Sequence, residues 1–172
     1  HVRVGHVEAG LRTYNLAAPF PEELNRQMTS RIATRHFAPT ERSQQNLLKE
    51  GVNPRDVFVT GNTVIDALQW VLQHVPEPQW TLPFDPKQHR MILVTGHRRE
   101  NFGRGFQQIC KALCCIAALN PETQIVYPVH LNPNIKEPAH RMLSGLPNIH
   151  LLEPLEYPDF VHLMNRSYLI LT

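Results

Sequence analysis

Apolar and polar positions alternate along this chain in two rhythms. Short, mostly apolar runs at residues 2–7, 57–60, 91–95, 124–129, 149–152 and 168–171 have the pattern of strands covered on both faces. A further short strand is expected at 36–39. Helices are expected between the strands, at 22–37, 43–50, 63–75, 105–119, 133–144 and 158–165. The clearest is 63–75, where Val64, Ile65, Leu68, Val71, Leu72 and Val75 recur at helical spacing. Local signals agree: Pro21 can start a helix at its first turn, Thr40 reads as an N-cap, and Gly51 closes the helix that follows it.

Strand–helix alternation with continuous apolar strands predicts an α/β fold with parallel sheets. The rhythm breaks once. Pro76, Pro78, Pro83 and Pro86 interrupt residues 76–89, which read as a surface linker. Together with the change at Asn62–Thr63, this predicts two Rossmann-like domains. Residues 1–62 would be the C-terminal part of the first and residues 63–172 the N-terminal part of the second. The chain starts and stops inside strand-like runs, which need neighbours, so it is expected to be an internal piece of a longer protein.

Composition narrows the function classes. At 172 residues and 42% hydrophobic the chain can bury a core. Its formal charge of +2, from 17 basic and 15 acidic residues, gives no case for a nucleic-acid partner. No run approaches the ~18 apolar residues of a membrane span. Cys110, Cys114 and Cys115 fall within one expected helix without zinc-like spacing, which argues for reduced thiols in a cytoplasmic protein and for no metal.

In doubly wound sheets, ligands bind beyond the carboxyl ends of the strands. Four segments are expected there: residues 5–12, 96–104, 130–134 and 153–160. Glu8 follows a strand and precedes the small pair Ala9-Gly10, and Glu22 stands at a helix start one loop later. Two carboxylates at one pocket can divide the work of base and acid. The plainer alternative is a salt-bridged Glu8 and a helix-capping Glu22. His97 ends a strand beside Arg98-Arg99, a pattern suited to a phosphate, or equally to a cap beside solvated charges. Phe102-Gly103-Arg104-Gly105 leads into a helix but lacks the established phosphate-loop patterns. His130 also follows a strand, and Phe160 could cover a flat base or belong to the core.

Several longer strings carry a resemblance. GHVEAGLRT at 5–13, PFPEELNR at 19–26, FVTGNTVIDAL at 58–68, ILVTGHRRENFGRGF at 92–106, QIVYPVHLNPN at 124–134 and LEPLEY at 152–157 closely resemble the non-hydrolysing bacterial UDP-N-acetylglucosamine 2-epimerases. The resemblance runs in order over essentially the whole chain. It implies a GT-B-like pair of Rossmann-like domains with parallel sheets, both incomplete here. It also implies interconversion of UDP-GlcNAc and UDP-ManNAc without an added cofactor, for cell-surface polysaccharide, in a protein that is commonly a homodimer. The C2 proton and the C1 diphosphate would leave together, giving a bound glucal to which UDP adds back. By the same resemblance, Glu8 and Glu22 match catalytic carboxylates, and His97 matches the histidine beside the diphosphate. Phe160 matches a nucleotide-contacting aromatic, and Leu155 falls where some members have glutamine. Arg98 and His130 match positions that in some members hold a second, activating UDP-GlcNAc. The family's Asp-Ser-Gly-Gly phosphate loop and a catalytic aspartate fall outside these residues, so the segment alone is expected to catalyse nothing.

Two alternatives stay open at this point. A hydrolysing relative would release free ManNAc, and a non-catalytic sugar-nucleotide-binding protein would bind without proton exchange.

Overall fold

In the computed structural model, which describes residues 2–78, 82–96 and 103–172, every strand among the described residues pairs in parallel. The chain divides into two compact units, His1–Trp70 and Val71–Thr172.

The first unit holds β1 (Gly5–Val7), α1 (Glu22–Ile32), β2 (Arg35–Ala38), α2 (Glu41–Lys49), a 3-10 turn (Pro54–Asp56) and β3 (Val57–Val59). The helix α3 (Thr63–His74) begins in it. The strands lie in the order β1-β2-β3, with Val7 beside Phe37 and Ala38 beside Val59. The expected helix over 22–37 stops at Ile32. Ala33 is extended (φ −71°, ψ 141°), and Thr34 gives both its N–H and its hydroxyl to the Val4 carbonyl, drawing the chain into the sheet. Thr40 caps α2 as expected, its hydroxyl accepting the Ser43 N–H at 3.1 Å, and Gly51 follows that helix at φ 84°. The core is small: Ala9, Ala38, Leu47 and Val57, with Leu48 and Val52 against them.

The second unit holds β4 (Arg90–Val94), α4 (Arg104–Leu119), β5 (Thr123–Pro128), α5 (Pro133–Leu143), β6 (Ile149–Leu152), α6 (Tyr157–Arg166) and β7 (Leu169–Leu171). Its strand order is β6-β5-β4-β7, so the chain steps outward from β4 on one side and returns to its other side with β7. The reversal sets a switch point between β4 and β7.

Period-two alternation sorts this sheet's residues onto two faces. Ile92, Val94, Ile125 and Tyr127 pack against Phe106, Cys110 and Leu113 of α4 and Ile135, Ala139 and Leu143 of α5. Met91, Leu93 and Val126 pack on the other face against Leu163. Each fully buried Leu, Ile or Phe contributes about 1.5–3 kcal/mol of transfer free energy, so this double-sided sheet supplies most of the chain's hydrophobic stabilisation. Burial also pushes the Cys110 thiol up to about 11, leaving it a packing residue. Asn148 stitches the layers, its amide donating to the carbonyls of Ala117, Asn120 and Thr123.

The stretch at 76–89 is more than a spacer. Leu82 and Phe84 pack on the Met91–Leu93 face, Phe84 lies 5.0 Å from the His150 ring, and Glu77 pairs with Arg166. No helix among the described residues is long and apolar enough to cross a membrane.

Candidate functional site

At the carboxyl end of β1 the chain makes a turn that only a few residue types tolerate. Glu8 has φ 59°, in the left-handed region, where a residue with a Cβ gives up about 1–2 kcal/mol. The surroundings enforce this conformation. The Ala9 N–H donates to the Phe37 carbonyl at 3.0 Å, and the Asn46 amide donates to the Gly10 carbonyl at 3.0 Å. Gly10 itself sits at φ 85°, where a Cβ would come within 2.1 Å of the Ser43 carbonyl oxygen, so only glycine fits. Glu8 is half-buried, and its Oε1 accepts the Thr63 hydroxyl at 3.0 Å. Among the described residues it forms no ion pair; its partner there is a neutral donor, not the salt bridge of the plainer alternative.

Beyond the turn the chain is stapled to two helices. The Arg12 side chain is fully buried. Its guanidinium meets the Glu50 carboxylate in two-point geometry, at 2.7 and 2.9 Å, and also donates to the Ser30 hydroxyl at 2.7 Å. Glu23, 0% exposed, accepts the N–H groups of Thr13 and Tyr14 at 3.0 and 3.2 Å and the Gln27 amide at 2.8 Å. Burial raises its carboxyl, but those hydrogen bonds, with Arg12 nearby, outweigh it and hold the group below the usual carboxylate range. Glu22, next to it, is exposed as the first residue of α1. Pro21 occupies the N-cap without a side-chain capping bond. Of the acid doublet, one carboxylate is built into the fold and the other is left to solvent.

Under this turn, His6 and His36 lie edge to face with ring centroids 6.3 Å apart, and neither Nδ1 has a partner. Burial lowers the His6 pKa, and His36, Arg12 and Arg26 lower it further. Burial lowers that of His36 too, with Asp56 opposing in part. An open hollow of about 470 Å³ in this unit, lined by Arg3, Arg31, Arg35 and Asp56, lies at the amino ends of the strands, where β2 and β3 begin. It is on the opposite edge from Glu8.

In the second unit, the switch point is closed by the Thr95 N–H on the Leu171 carbonyl at 2.8 Å. The buried Tyr127 hydroxyl donates to the Gly96 carbonyl at 2.5 Å, and burial pushes this phenol well above its ordinary value. His97 and Arg98, which come next, lie outside the described residues. His130 follows β5. Its Nδ1 is placed to accept the Asn132 N–H at 3.1 Å, an arrangement that needs a neutral ring with its proton on Nε2, while the Asn132 side chain caps α5. Leu155 and Phe160 are half-buried against the layer of Met91, Leu93, Val126 and Leu163, so both already serve the core.

Reading the sequence missed three residues that shape the first unit's turn: Thr63, Arg12 and Glu23. In the sequence Thr63 reads only as a helix start. The signal available was a hydroxyl directly after Gly61-Asn62, at the carboxyl end of β3.

The family model described as UDP-N-acetylglucosamine 2-epimerase matches residues 1–172. A UDP-N-acetylglucosamine 2-epimerase from Yersinia pestis is 57% identical over 99% of this chain and 47% of its own length. The crystal structure of UDP-GlcNAc 2-epimerase from Neisseria meningitidis bound to UDP-GlcNAc is 46% identical. It superposes with a TM-score of 0.91 over 98% of this chain and 47% of that one. A Staphylococcus aureus structure with UDP is 40% identical, also with a TM-score of 0.91, over 98% and 46%. The chain spans about half the length of the curated relatives it matches.

Proposed function

The chain belongs to the UDP-N-acetylglucosamine 2-epimerase family, and from that premise we propose that the whole protein interconverts UDP-GlcNAc and UDP-ManNAc. Residues 1–62 supply the last part of its first Rossmann-like domain and residues 63–172 the first half of its second. The protein works in the cytoplasm as a homodimer, and its product feeds cell-surface polysaccharide.

The reaction is an elimination and re-addition. A carboxylate takes the C2 proton as the C1–O bond to the diphosphate breaks, and UDP carries away the bonding pair. A proton then returns to C2 on the opposite face as UDP re-forms the C1–O bond. The C2 proton is weakly acidic, so departure of a stabilised diphosphate in the same step is what makes its removal feasible, and holding both fragments together prevents their loss. Glu8 and Glu22 are the two proton-handling carboxylates, and His97 faces the diphosphate. Phe160 and the backbone at Leu155 meet the nucleotide, while Arg98 and His130 are available to a second UDP-GlcNAc.

The observation that carries this reading is Glu8. It is held in a costly left-handed turn at the carboxyl end of β1, with its carboxylate oriented by a hydroxyl. Such turns persist where the surroundings over-determine them, and they cluster at reacting sites. The test is NMR of UDP-GlcNAc incubated with the full-length protein. UDP-ManNAc is the expected product. Free ManNAc with UDP would instead mark a hydrolysing enzyme, and unchanged substrate would mark a binding protein.

A further inference from the structure

We infer that Thr63 is a positioning residue for Glu8, the hydroxyl that sets the direction of the proton-transferring carboxylate; this rests on the epimerase reading above. The backbone of Glu8 is locked by its neighbours, but a glutamate side chain keeps its own torsions, and the last of them is soft. Among the described residues, the Thr63 hydroxyl is the group that hydrogen-bonds it, at 3.0 Å from Oε1. This donor takes one of the lone pairs on Oε1 and so fixes the plane in which the carboxylate offers its remaining lone pairs to a substrate proton.

The donor is itself well held. Thr63 is the first residue of α3, and it follows Gly61 at φ 83°. The Asn62 side chain accepts the Val64 N–H at 3.0 Å, and the Asn62 carbonyl accepts the Ile65 N–H at 3.0 Å. The helix start is therefore anchored to the same carboxyl edge from which Glu8 projects: the Thr60 N–H donates to the Ala38 carbonyl, directly beside β1's partner strand. One end of the hydrogen bond comes from the turn after β1 and the other from the turn after β3, so the bond spans the three-stranded sheet at its carboxyl edge.

The bond contributes little to stability, because Thr63 is exposed and water can replace either partner. Its effect is therefore separable from folding, and it should appear in turnover instead.

The experiment compares wild type, Thr63→Val and Thr63→Ser in the full-length protein, reading kcat and KM for UDP-GlcNAc epimerisation together with melting temperature. Thr63→Val is expected to lower kcat about tenfold with KM changed less than about threefold, since misdirecting a reacting group penalises the chemical step. Its melting temperature should move by no more than about 3 °C, as for a surface substitution. Thr63→Ser, which keeps the hydroxyl, should recover most of the rate. An unchanged kcat in Thr63→Val with wild type active overturns this inference alone, as does a serine variant as slow as the valine one. A fall in kcat that merely follows lost folded protein also overturns it, by making the role structural. An inactive wild type overturns the epimerase reading, and this inference with it.

Discussion

The carboxylate of Glu23 accepts the backbone N–H of Thr13 at 3.0 Å, tying the start of α1 to the loop that leads away from Glu8. Its neighbour Glu22 is exposed at the helix start and forms no side-chain cap. The same residue type at adjacent positions thus meets two environments, and substitution should separate their effects.

Glu23→Gln puts an amide donor against N–H groups that need acceptors, and should destabilise the full-length protein by about 1–3 kcal/mol. Glu22→Gln should shift stability by less than about 0.5 kcal/mol, as exposed substitutions do, while abolishing epimerase turnover. Urea midpoints and initial rates on the two variants read both effects. The reverse pattern, a stable Glu23→Gln or an active Glu22→Gln, would contradict the assignment.

Gly10→Ala should be among the most damaging single changes in the first unit. The new Cβ would meet the Ser43 carbonyl oxygen at 2.1 Å in a left-handed backbone, and together these cost about 3 kcal/mol or more. Chemical denaturation measures it. A loss below about 1 kcal/mol would show that α2 can retreat from the turn without penalty.

The His6–His36 pair should make the first unit acid-sensitive. Both pKa values lie below the ordinary histidine value in the folded chain, chiefly from burial. Below about pH 6.5 the unfolded chain therefore binds protons that the folded one refuses. Stability is fully present above that pH and falls as the pH drops through it. Between about pH 7.5 and about pH 5.5, His36→Leu should lose less stability than wild type, because one of the two groups no longer titrates. Equal losses in the two proteins would place the acid sensitivity elsewhere.

The second unit was largely legible from its sequence. Met91–Leu93 and Ile92–Val94 alternate between faces, and the strands and helices around them begin and end within a residue or two of expectation. The first unit was harder, for a physical reason seen in α1. Its buried residues are Glu23 and Ser30, while Met28 and Ile32 are 59% and 69% exposed. A search for an apolar stripe selects the wrong face of this helix, because the inward face serves Arg12 and the Thr13–Tyr14 loop through hydrogen bonds. The position of Glu8 after a strand was legible. Its left-handed backbone and its bond to Thr63 were not, since both depend on groups distant in sequence. Its place at a helix start marked Glu22 and not Glu23, because a buried carboxylate and an exposed one look alike in sequence.

Whether Glu8 moves the C2 proton of a UDP-linked amino sugar can be read from solvent isotope exchange. The full-length wild type and Glu8→Gln would each be incubated with UDP-GlcNAc in deuterium oxide and followed by proton NMR. Wild type should yield UDP-ManNAc carrying deuterium at C2, and a folded Glu8→Gln should give neither epimer nor exchange. Deuterated UDP-ManNAc formed by Glu8→Gln at near wild-type rate would contradict a proton-moving role for Glu8.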